Sequence, residues 1–171
     1  ASRPKHGSPT YAMRGRHRDA EAALGEAAEL VTPPEGDAFL HGYALINRAL
    51  QRFHLGEVRC AAQDFLSNLD LCVVQQNQRG LAGCVEGTAY LALERGHAMH
   101  AAHFLGAAAR VRNLTGQPLF RQWHTAHAAV ESKLAGTLGA GFASAQKDGA
   151  VERFEDIVCD ARALLVELAA G

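Results

Sequence analysis

Aromatic residues are scarce in this 171-residue chain, at 6%, with a single tryptophan. β-branched residues are also few, and apolar and polar positions almost never alternate with period two, so a sheet with a thick core is excluded. The four cysteines, Cys60, Cys72, Cys84 and Cys159, form no CxxC pair and no zinc-type spacing; they read as reduced, small hydrophobic residues and not as a disulfide framework. No run approaches the roughly 20 apolar residues of a membrane span. Charge of one sign is missing too: 17 basic and 18 acidic residues leave a net charge of −1, which argues against a dedicated nucleic-acid surface. Neither a GxxxxGK[ST] phosphate loop nor a GxSxG nucleophile elbow occurs. The opening ASRPKHGSPT has no apolar h-region and reads as a flexible leader over residues 1–9.

What is present is alanine, leucine and a repeat. Apolar residues make up 48% of the chain, which is enough to fold a core. Glycines at Gly15, Gly56 and Gly96 each precede an alanine five residues on (Ala20, Ala61, Ala101) and then a large apolar residue (Leu24, Phe65, Leu105). The helices before these glycines correspond as well: Ala44, Leu45, Ala49 and Phe53 match Cys84, Val85, Ala89 and Leu93. A period near 40 residues belongs to arrays of helical hairpins. The chain therefore reads as all-α, a tetratricopeptide-like array of antiparallel hairpins forming a right-handed solenoid over residues 10–171. Its units fall at about 10–32, 37–76, 79–115 and 118–148, and a capping helix at 151–169 covers the last apolar face.

Within that array, Gly96 joins two helices and Asp37 is placed to cap a third. Gly15 takes the turn position of a first unit whose leading helix, ending at Tyr11–Met13, is mostly missing; the chain thus reads as a fragment. Pro118 is expected to open a helix, LFRQWHTAHAAVESKLAGTLG. A short helix follows from Ala140 to Lys147, ending near Asp148–Gly149. Gly106, inside LGAA, is expected where a neighbouring helix backbone passes close.

Residues with chemical potential have bland explanations. His97, His100 and His103 are spaced i, i+3 and drift around a helix, so they do not converge on one metal; His124 and His127 repeat the spacing on the next helix and keep a metal reading open. Glu152, Glu155 and Asp156 begin the last helix, where acids complement the dipole. Arg110 and Arg112 read as surface charges. No catalytic, cofactor or metal residue is assigned.

The run CVEGTAYLALERGHAMHAAHFLGAAARVRNLTGQPL, with ESKLAGTLGAGFASAQKDG after it, resembles the C-terminal tetratricopeptide-like region of large LuxR-type, ATPase-containing (STAND) transcriptional regulators of actinobacteria. The matching positions are Glu86-Gly87, Gly96, Ala101-Ala102, Leu105 to Ala108, Arg112, Thr115-Gly116, Pro118, Leu138-Gly139 and Phe142. It departs from that pattern at Phe120, where a second proline is common, and at Ala145-Gln146, where a tryptophan is. The resemblance implies a cytoplasmic, non-catalytic interaction and signal-receiving module. Its partners would be other domains of the regulator or another protein, with no nucleic-acid or membrane contact of its own. The alternative is a sensor domain that binds a small-molecule inducer.

Hairpin arrays bind through the face lined by the first helix of each unit. That face is expected to carry Tyr43, Asn47, Arg48, Arg52, His54, Glu86, Tyr90 and Glu94. A closed apolar pocket there would favour the sensor, and an open trough would favour a protein partner.

Overall fold

The computed structural model describes residues 9–171; most of the expected leader lies outside the described residues. These form eight α-helices and one 3-10 turn, and no strand. The helices are α1 (Pro9–Leu30), α2 (Ala38–His54), α3 (Val58–Val74), α4 (Gln78–Glu94), α5 (Ala98–Thr115), α6 (His124–Leu138), α7 (Gly141–Val151) and α8 (Phe154–Ala170). The 3-10 turn, Arg121–Trp123, leads into α6.

Local chemistry sets the boundaries of the central helices. Asp37 caps α2, its carboxylate accepting from Phe39 N at 2.8 Å and Leu40 N at 3.0 Å. Helices α2 to α5 are joined by three-residue turns with one hydrogen-bond pattern, in which the middle residue has positive φ. That residue is Gly56 (φ 77°), Gln76 (φ 53°) and Gly96 (φ 83°), twenty residues apart each time. The turn therefore recurs even where glutamine replaces glycine.

Packing follows the hairpin order through α5. Consecutive helices from α1 to α5 lie against one another. Phe65 of α3 is wholly buried with its ring over Gly87 of α4, where any side chain would overlap it. Ala49, Leu50, Ala61, Leu69, Val85, Ala89 and Leu91 complete this core, and each large aliphatic residue buried there contributes about 1.5–3 kcal/mol.

The array then departs from the expected scheme. Helix α1 runs unbroken through Gly15, so Gly15 is not a turn; nothing packs there, and an exposed mid-helix glycine costs only about 1 kcal/mol. Pro118 does not start a helix: residues 117–120 are non-helical and the chain becomes regular only at Arg121. Helices α6 and α7 do not form a further packed hairpin. Instead α7 lies along α5, and the two backbones touch at two glycines: a Cβ on Gly106 would overlap the carbonyl of Gln146, and one on Gly149 that of His103. Helix α7 runs through Gly149 to Val151, past the end expected near Asp148–Gly149. The last helix covers apolar surface on the side of the array. Its buried stripe of Ile157, Val158, Ala161, Leu165 and Leu168 packs chiefly on α3, then on α4 and α5, while α7 lies on α5.

Among the described residues no helix is long and apolar enough to cross a membrane.

Candidate functional site

Helix α6 and the segment before it lie across the first-helix face, over α2 and α4. Trp123 is the centre of this contact. It is 1% exposed, and its ring lies edge-on to Phe65 at 6.0 Å and tilted against Tyr90 at 5.6 Å. Beside it Gln122 Nε2 donates to Asn47 Oδ1 at 2.9 Å, and further along Lys133 pairs with Glu94 at 3.1 Å. The face that arrays ordinarily offer to a partner is thus occupied by the chain itself.

Beneath α6 sits a buried polar cluster. Glu86 is wholly buried, and an unpaired carboxylate there would be prohibitively costly. Its Oε1 accepts from the Tyr90 hydroxyl at 2.8 Å and from His127 Nδ1 at 2.6 Å, while Oε2 pairs with Arg112. Burial raises the Tyr90 phenol above its ordinary pKa, with the Glu131 charge adding to the effect, so it stays a donor. Burial lowers the pKa of His127, and Arg112 lowers it further, while Glu131 opposes both. The ring spans two carboxylates, Nδ1 on Glu86 and Nε2 facing Glu131 at 3.3 Å.

The expected face residues divide three ways. Asn47, Glu86 and Tyr90 are buried under α6, and Glu94 and Tyr43 stand at its margins. Arg48 and Arg52 point the other way. Arg48 Nε and Nη2 donate to Asp64 at 2.9 and 2.7 Å, and Arg52 bridges Asp64 and Glu21, binding α1, α2 and α3 together. They are structural and do not line an open face. His54 stacks on His17 with ring centres 4.4 Å apart. With Glu94 and Lys133 these two histidines border an open cleft of about 450 Å³ between α1 and α6.

The other histidines disperse: His97 and His100 lie edge to face, His103 pairs with Glu152 at 2.7 Å, and His124 meets the carbonyl of Leu119. Among the described residues no three histidine, cysteine or carboxylate side chains gather as a metal site would need.

Sequence reasoning passed over Gln122, Asn68 and Arg79, noted Phe120 without giving it a site role, and treated Arg112 as surface. Phe120 forms one wall of a second, mostly apolar cavity of about 240 Å³ near the start of α2 and α4. The guanidinium of Arg79 lies 4.5 Å over its ring, and Tyr43 meets the same ring edge-on at 6.2 Å. The available signals were Asn68 as a polar residue in an apolar stripe, and Phe120 as a departure from the regulator pattern.

No protein-family model matches the chain, and no curated protein or solved structure matches it.

Proposed function

We propose that this chain is a non-catalytic, signal-receiving repeat module of a multidomain bacterial transcriptional regulator, working in the cytoplasm by contact with other domains or a protein partner. One observation carries the reading: α6 fills the first-helix face and is held there by polar groups, Gln122 on Asn47 and His127 on Glu86. The segment is fastened by these polar groups in addition to its buried apolar stripe of Trp123, Ala126, Val130 and Leu134. Among the described residues, Gln117 Oε1 and Trp123 Nε1 of the same segment are buried and have no protein hydrogen-bond partner. Such a seat suits an occupant that a partner helix displaces.

The test compares the parent chain with Gln122→Ala/His127→Ala, a double variant that loosens the polar latch while keeping Trp123 and Leu134. Calorimetric titration with the ATPase portion of the regulator is expected to give affinity about tenfold higher for the double variant. Hydrogen exchange along α4 should rise in the same variant. Equal affinities, or no binding by either protein, would end the reading.

A second reading, a small-molecule sensor, is favoured by the half-open cavity of about 240 Å³ beside Phe120, whose surface is mostly apolar and which also presents Asn68, Gln75, Asn77 and Arg79.

A further inference from the structure

The cavity near the start of α2 and α4 has a built interior. Gly42 and Gly80 form part of its lining, and the absence of side chains there leaves room for Asn68 and Cys72 beneath. Asn68 is 2% exposed, and its carboxamide has only sulfur partners: Nδ2 donates to Cys84 Sγ at 3.3 Å, and Oδ1 accepts from Cys72 Sγ at 3.7 Å. Thiols are weak partners, so a buried amide bordering a cavity retains most of its hydrogen-bonding capacity. Phe39, Tyr43 and Phe120 give the walls a flat aromatic character.

The charge of the site has one sign. Arg79 is the sole ionic side chain in the lining, which contains no carboxylate, and among the described residues Arg79 makes no ion pair. Its guanidinium carbon lies 4.5 Å over the Phe120 ring, and its N–H groups, none of them in an ion pair, can meet a planar anion. Arg79 and Gly80 also lie in the first turn of α4, whose partial positive charge reinforces the same preference. Size completes the description. An apolar cavity of about 150 Å³ accommodates benzene, so about 240 Å³ suits one substituted ring.

We infer that this cavity is a binding site for a small monocyclic aromatic carboxylate bearing a hydroxyl group, the carboxylate on Arg79, the ring between the aromatic walls and the hydroxyl on Asn68. Phe120 belongs to the same short segment as Gln122 and Trp123, so an occupied cavity fixes the segment that leads α6 into the first-helix face. That consequence rests on the signal-receiving reading; the site itself does not.

The probe is 4-hydroxyphenylacetate, titrated by calorimetry and by the fluorescence of Trp123. The parent should bind it with Kd below about 1 mM, and the neutral 4-hydroxyphenylacetamide at least about tenfold more weakly. Arg79→Gln, a substitution at an exposed position, should remove the preference for acid over amide. Asn68→Leu should remove the preference for 4-hydroxyphenylacetate over phenylacetate. Absence of binding by the parent, equal binding of acid and amide, or unchanged affinity in Arg79→Gln overturns the site. The acid–amide comparison is made on the parent and does not depend on any variant folding. If the probe binds but leaves affinity for the ATPase portion unchanged, the site stands and the signalling reading fails.

Discussion

Arg48 lies where its spacing put it, on α2, yet the side of the helix it serves is the opposite of the expected one. Its two hydrogen bonds to Asp64, which is 4% exposed, make it the counter-charge of a buried carboxylate. Removing one partner of such a pair leaves the other charge desolvated, a loss larger than the net worth of the pair. Arg52 remains on Asp64 in the variant, which limits the damage. Arg48→Ala is therefore expected to destabilise by about 2–3 kcal/mol, read as a lower denaturant midpoint at unchanged slope. A variant as stable as the parent would mean that Asp64 is satisfied without Arg48. Tyr90 makes the same point without charge: a wholly buried ring that donates to Glu86 is part of the core and not a surface for recognition.

At the level of helices and turns, the three short connections between α2 and α5 form a natural experiment. Two have glycine at the positive-φ position and one has Gln76. A non-glycine residue there brings its Cβ against the backbone at about 1–2 kcal/mol, partly offset by the greater entropy glycine loses on folding. Gln76 is exposed and its side chain holds nothing. Gln76→Gly should stabilise the protein by about 0.5–1 kcal/mol, seen as a rise in Tm of about 1–4 °C; a fall in Tm would show that the turn does not set this cost. The α5–α7 contact is the other place where glycine decides geometry. There the constraint is backbone against backbone at Gly106 and Gly149, which no side-chain rotation relieves.

For the whole molecule, pH ties distant parts together. Burial, with the charge of His17 second, lowers the His54 pKa from 6.5 to about 4, and burial also lowers that of His127. A histidine whose pKa is depressed on folding binds fewer protons in the native state than in the unfolded one. Its contribution is complete above the unfolded pKa near 6.5 and is lost as pH falls toward the folded value. Stability measured by denaturant unfolding should therefore fall between pH 7 and pH 5, and His54→Gln should flatten that slope. A parent protein equally stable at both values would show that neither ring is desolvated as described.

Much of this architecture was determined by the sequence alone. Helix periodicity, the Asp37 cap, the turn glycines Gly56 and Gly96, and the backbone approach at Gly106 depend on residues a few positions apart or on the steric demand of one residue, and such rules act wherever the segment lies. Gly15 and Pro118 satisfied the same local rules and were still overruled, one by a continuous helix and the other by a segment that must deliver Trp123 to the core. The placement of α6, α7 and α8 was decided only by tertiary structure. Asn47 and Gln122 are 75 residues apart, and Arg162 and Asp70, which help fix α8 on α3, are 92 apart. Whether the face carrying Tyr43, Asn47 and Tyr90 meets solvent, a partner or its own chain depends on the competition among all apolar surfaces for cover. In this molecule the 3-10 turn and α6, with their Trp123, Ala126, Val130 and Leu134 stripe, are long and apolar enough to win that competition in cis, and the polar latch of Gln122 on Asn47 and His127 on Glu86 sets where they lie.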